Sequence, residues 1–154
     1  MELKQALQDY YDFWFLSNYL YEEWAKRKGL SMYGLFVLQE IKENRNCTAK
    51  QICSRLFLPK QTVNAILNSF ENKGLIRRVA MEQDRRNKEI LFTRDGERYA
   101  DNILQEMYEA EEKALQKMGA RQMEAMAQNN RIFIKCLEET MRTGDKKEIA
   151  ESAL

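Results

Sequence analysis

The chain has 154 residues, 44% of them apolar, with 25 basic and 24 acidic side chains and a net charge of +1. That length suits one compact domain or two small ones, and that apolar share excludes wholesale disorder. No histidine is present, which excludes histidine-based zinc sites, Ser-His-Asp triads and the commonest general base; no enzyme, metal or cofactor is expected.

Helical spacing opens the chain. Leu3, Leu7, Tyr10, Trp14, Ser17, Tyr21 and Trp24 alternate steps of four and three, a heptad-like stripe. Tyr11, Phe13, Phe15, Leu16 and Leu20 add apolar surface on other faces, so this helix must bury more than one side. Gly29 ends it, and Ser31 caps a second helix over 32–43, carrying Leu35, Leu38 and Ile41. Thr48 caps a short third helix, AKQICSRL, and Pro59 suits the first position of a fourth, KQTVNAILNSFENK, which stops at Gly74. LIRRVAM and NKEILFT read as two strands around a charged tip. Thr93 caps a long helix over 94–117, Gly119 breaks it, and a last helix over 120–142 carries Met123, Met126, Phe133, Ile134, Leu137 and Met141. The tail after Gly144 reads as frayed. The order is α-α-α-α-β-β-α-α. A lone hairpin is too small to stand by itself, so it must lean on the preceding helices. The fold class is mainly α (α+β), a winged helix–turn–helix.

Charge is unevenly placed. Residues 1–30 and 101–154 are net acidic, whereas the window 45–88 holds ten basic and three acidic side chains. A local positive field can steer a polyanion toward a molecule that is nearly neutral overall. Within that window, Ile52 and Leu56 on one helix face Val63, Ile66, Leu67 and Phe70 on the next, the pattern of two short helices crossing over a shared core. Opposite that apolar face the fourth helix, the expected recognition helix over 59–73, presents Gln61, Asn64, Ala65, Asn68 and Asn72, flanked by Lys60 and Thr62. Gln and Asn can bond adenine bidentately, Ala can touch a thymine methyl, and Lys can meet guanine or phosphate. A polar solvated face is the competing reading, since any surface helix needs one.

The tip MEQDRRNKE, with a wing over 82–88, favours nucleic acid. Arg85 and Arg86 suit phosphates or a narrow minor groove. Asp84 beside them makes sense as a carboxylate that orients a guanidinium. Lys88 extends the basic edge, and Arg77 and Arg78 lie at the far end of the hairpin.

The runs KGLIRR and DRRNKEILFTRDG resemble the wing and following helix start of the multiple-antibiotic-resistance regulator (MarR) family. That family shows a Lys-Gly-Leu-Ile/Val-x-Arg step, an Asp-x-Arg wing and a Leu-Thr-x-x-Gly helix start. These correspond here to Lys73 to Arg78, Asp84 to Arg86, and Phe92-Thr93 to Gly96. Phe92 stands where Leu is usual, and LPKQT departs from the common recognition-helix starts. The resemblance implies a cytoplasmic transcriptional regulator, in the expected sense a repressor, that binds pseudo-palindromic double-stranded DNA as an obligate homodimer. Residues 1–30 and 120–154 would form the helical dimerisation region, 31–93 the winged helix–turn–helix domain and 94–119 a long helix linking the two. Arg86 would enter the minor groove, oriented by Asp84, with Arg85 on a phosphate.

The aromatic residues Tyr10, Tyr11, Trp14 and Tyr33 suit core or dimer interface. The alternative implied by the resemblance is a pocket for a small aromatic effector. Some relatives sense peroxides with a cysteine near the start of the first helix, where this chain has none. Cys53 and Cys136 are expected to be buried and inert, leaving Cys47, in a loop with Arg45 and Asn46, as the candidate sensor. Nine aromatic-rich residues, FWFLSNYLY, are too few to span ~30 Å of hydrocarbon, and the first residues lack a basic signal region; no membrane partner is expected. The rival to DNA binding is a winged helix that docks protein instead.

Overall fold

A computed structural model describes residues 2–81 and 87–151, with side chains through Arg142. The elements follow the expected order: α1 (Leu3–Arg27), α2 (Met32–Glu43), α3 (Ala49–Leu56), α4 (Lys60–Asn72), β1 (Ile76–Ala80), β2 (Lys88–Phe92), α5 (Arg94–Met118) and α6 (Ala120–Glu151). The wing tip, with Asp84, Arg85 and Arg86, lies outside the described residues. Contacts divide the chain into two units, residues 1–106 and 107–154.

The first unit is built on the crossing of α2, α3 and α4. Leu35, Leu38, Ile52, Val63, Leu67 and Phe70 are buried together with Ile76 and Ile90 of the strands. Ala100, Ile103 and Leu104 of α5 are buried as well. Each start and stop has a local cause. The Ser31 hydroxyl accepts the Gly34 N–H at 3.0 Å. Thr48 and Gln51 form a reciprocal capping box at the head of α3, satisfying donors that the first turn leaves open. At the end of α4, Gly74 takes φ +69°, and the N–H groups of Gly74 and Leu75 bond back to the carbonyls of Glu71 and Phe70 at 2.9 Å each. A side chain at that φ would be strained, so glycine is the natural stop.

The hairpin pairs antiparallel, with Arg78 opposite Ile90 and Ala80 opposite Lys88. Directly opposed residues share a face, so Arg78, Ile90 and Lys88 lie on one side and Arg77, with Leu91, on the other. The segment before α3 adds to the sheet edge. Thr48 bridges Glu89, and the Ile90 N–H donates to the Cys47 carbonyl at 2.8 Å.

The root of the hairpin is joined to the start of α5. The Thr93 N–H donates to the Leu75 carbonyl at 3.0 Å, and its hydroxyl donates to the Gly74 carbonyl at 2.6 Å. That hydroxyl also accepts the Gly96 N–H at 3.0 Å, the cap expected from the sequence. Gly96 is needed because a Cβ there would sit 1.7 Å from the Leu75 carbonyl oxygen. Lys42 of α2 pairs with Glu97 and Asp101 of α5; bonds from these two carboxylates, Asp101 first, raise its pKa.

The second unit holds the rest of α5 and α6, separated at Gly119, whose φ is +87°. Here the structure corrects the sequence reading: α6 does not fray after 142 but continues through Gly144 to Glu151. One internal glycine costs a helix only about 1 kcal/mol relative to alanine, and the following DKKEIAE is rich in good helix formers. A second correction concerns Pro59, which is the N-cap of α4 rather than its first helical residue.

Candidate nucleic-acid interface

The helix α4 begins without a side-chain cap and with no acid in its first turn. The N–H groups of Lys60, Gln61 and Thr62 therefore point out of the helix end, an arrangement that favours an anion. Gln61, Ala65 and Asn68 are exposed on the outward face, with Thr62 and Asn64 half-buried beside them. Val63, Leu67 and Phe70 hold the opposite face in the core.

Between α3, α4 and the hairpin runs an open groove of about 490 Å³, lined by Lys50, Lys60, Asn64, Arg78 and Lys88 among others. Lys50, Lys60 and Lys88 are exposed, so three ammonium groups surround one concavity beside the helix face. Lys50 was not among the residues picked from sequence, and Arg78 was noted there only beside Arg77 on the hairpin and as the arginine of the Lys73–Arg78 step. That they share a groove with Lys60 and Lys88 depends on the crossing of α3 over α4. Arg77, which the sequence grouped with the basic edge, is exposed on the other face of the hairpin.

Arg78 is held from two sides. Its Nε and Nη2 donate to Glu71 Oε2 at 3.1 and 2.5 Å, and Nη2 also donates to Asn68 Oδ1 at 2.5 Å. These bonds hold the Glu71 carboxyl below the usual carboxylate range.

The cysteines differ from expectation. Cys47 is buried, and desolvation, with a smaller push from the Glu40 charge, raises its thiol to about 11. It carries almost no thiolate at neutral pH, which removes it as the sensor. Cys53 is half-buried and Cys136 is exposed, not buried as expected. Among the described residues no group of three or more His, Cys, Asp or Glu side chains could hold a metal.

Of the aromatic set, Tyr11 and Trp14 are exposed on α1 and Tyr33 is exposed on α2, while Tyr10 is half-buried. Rings run along α1, with Tyr10–Tyr11 centroids 5.7 Å apart and Trp14–Phe15 centroids 5.2 Å apart. Leu3, Phe13, Leu16, Tyr19 and Leu20 are also exposed on α1, and Ile132, Phe133, Ile134 and Met141 on α6. No helix among the described residues is long and apolar enough to cross a membrane.

Two crossed helices, an outward polar face on the second and a hairpin packed beside it define a winged helix–turn–helix protein. Comparison with known proteins then narrows the class. Residues 35–87 match the model of the MarR family. The HTH-type transcriptional regulator SarZ of Staphylococcus epidermidis is 33% identical over 76 residues, 49% of this chain and 51% of SarZ. The chain thus spans about half the length of the curated relatives it matches. A MarR family regulator from Neisseria meningitidis superposes with a TM-score of 0.76 at 24% identity, over 94% of this chain and 99% of that one. Streptococcus pneumoniae FabT, solved in complex with DNA, superposes with a TM-score of 0.69 at 25% identity, over 88% of this chain and 98% of FabT. Over residues 35–87, the helix–turn–helix and the first strand of the hairpin, the chain is therefore similar to the MarR family.

Proposed function

We propose that the protein is a dimeric, ligand-responsive transcriptional regulator, a repressor acting in the cytoplasm, that binds pseudo-palindromic duplex DNA. The observation that carries this reading is the uncapped start of α4 with its polar outward face, set beside a groove ringed by Lys50, Lys60 and Lys88. That FabT was solved in complex with DNA supports the choice of partner. In this reading α4 enters the major groove. Gln61, Asn64 and Ala65 face base edges, Lys60, Thr62 and the helix end meet phosphate, and Lys88 follows the backbone. The wing reaches the minor groove through Arg86, with Asp84 orienting it and Arg85 on a phosphate; Arg77 contacts backbone from the outer hairpin face.

The dimer reading rests on surface. Apolar side chains exposed along most of α1 and again on α6 form patches that mark protein interfaces. Residues 1–30 and 120–154 supply that dimerisation region, residues 31–93 the DNA-binding head, and residues 94–119 the link. Paired heads of this kind sit about one DNA turn apart, ~34–36 Å. A small aromatic ligand held by Tyr10, Tyr11, Trp14 and Tyr33 would lower DNA affinity only through unequal affinity for two head spacings.

The test is selection of bound sites from a random duplex pool, followed by fluorescence-anisotropy titration across salt. Affinity is expected to fall with a log–log slope of about −0.9 per phosphate neutralised. Arg86→Ala weakens binding to every duplex alike, whereas Gln61→Ala changes base preference at one position. A protein that selects no duplex and shows no salt-dependent binding is the protein-docking module instead.

A further inference from the structure

Arg78 lies in the binding groove, yet its charge is already spent. The guanidinium faces α4 from β1, and its side chain is only 21% exposed. Glu71 takes two of its N–H bonds and Asn68 a third. Glu71 and Asn68 are one turn apart on α4, so the three side chains tie the second half of the helix to the first strand of the wing.

This arrangement has two consequences for recognition. A guanidinium loose in this groove, beside Lys50, Lys60 and Lys88, would seek phosphate on any sequence, and phosphate contacts add affinity without discrimination. Paired with a carboxylate, it adds almost no net charge there. Asn68 is also constrained: its amide oxygen accepts from Arg78, which holds the side chain toward β1, whereas reading adenine bidentately needs oxygen and nitrogen turned together to the base edge.

Resting on the DNA-binding reading above, we propose that Asn68, Glu71 and Arg78 form a positioning clamp that fixes the recognition helix against the wing and withholds Arg78 from phosphate. Asn68 is thereby reassigned from base reader to clamp. Specificity follows from geometry: helix and wing must meet adjacent grooves at a set separation, and the clamp sets it. Glu71 acts as a negative gate on non-specific binding.

The test compares wild type with Glu71→Ala, Glu71→Gln and Asn68→Ala. Each is titrated against a duplex selected by the wild type and against a scrambled duplex, from low to moderate salt. In Glu71→Ala the freed Arg78 gains a phosphate, so the salt slope steepens by about 0.9 per head. Binding to the scrambled duplex tightens, and the ratio between the two duplexes narrows. Glu71→Gln, which keeps a neutral acceptor, falls between the two. Asn68→Ala leaves the base preference at each selected position unchanged. Wild-type slope and ratio in both Glu71 variants would overturn the clamp, as would a change of preferred base at one position in Asn68→Ala. Thermal melts run in parallel identify any unfolded variant, and Glu71→Gln, the smallest change, then decides by its slope. A wild type that binds neither duplex overturns the DNA-binding reading itself, a result told apart from clamp failure because it needs no variant.

Discussion

Replacing Lys50, Lys60 and Lys88 together with glutamine tests the groove as an electrostatic site. All three are exposed on α3, α4 and β2 and line one concavity, and none lies in the buried core. Stability is expected to move by no more than about 0.5 kcal/mol per site, as for surface substitutions generally. Duplex binding should change far more. Each ammonium that neutralises a phosphate contributes about 0.9 to the salt slope, so three per head in the proposed two-headed dimer contribute roughly 5. Across a fourfold rise in salt, from about 50 to 200 mM, a slope difference of that size amounts to a change on the order of a thousandfold. The triple variant should therefore bind more weakly at low salt and fall with a clearly shallower slope, keeping only the share due to the remaining contacts such as Arg77 and Arg85, while the wild type falls more steeply. Anisotropy titrations at four salt concentrations give both slopes. A triple variant that keeps the wild-type slope would refute the assignment of this groove to phosphate, whatever its absolute affinity.

Two further outcomes follow from the fold. Gly96→Ala places a Cβ within 1.7 Å of the Leu75 carbonyl oxygen, so the root of the hairpin must open and strain or lose the bonds of Thr93 to residues 74 and 75. A loss of about 2–4 kcal/mol is expected, read as a fall in thermal midpoint on the order of 10 °C. Cys47 should resist a thiol reagent at neutral pH until the chain unfolds. Because its thiol titrates near 11 when folded and near 8.5 when exposed, the unfolded state loses its proton first as pH rises. The Cys47 contribution therefore lowers stability progressively between these two values and is absent below the lower one. Denaturant melts of the wild type and Cys47→Ala across that alkaline window check the sign: the gap between the two curves should change in favour of the variant as pH rises.

The order of elements could be read from punctuation. Ser31, Thr48 and Thr93 each place a hydroxyl where a helix begins, and Gly29, Gly74 and Gly119 each sit at positive φ where one ends. Local chemistry of this kind survives in sequence because donor and acceptor lie within a few residues. What could not be read depends on residues brought together from afar. The burial of Cys47 comes from its segment pairing with β2, more than forty residues later. The partnership of Arg78 with Asn68 and Glu71 requires the strand to return across the helix; from sequence Asn68 was one more outward polar residue. The groove containing Lys50 needs both the helix crossing and the hairpin. The persistence of α6 beyond Gly144 is a different kind of miss, since a single weak helix former was given more authority than its neighbours allow.

The two carbonyls that receive Thr93, those of Gly74 and Leu75, belong to the turn by which α4 becomes β1. The end of α4, the root of the hairpin and the start of α5 therefore share one soldered joint. Within residues 1–106, any shift of the first turn of α5 is passed through these bonds to the helix and the hairpin together, so the three elements move as one piece.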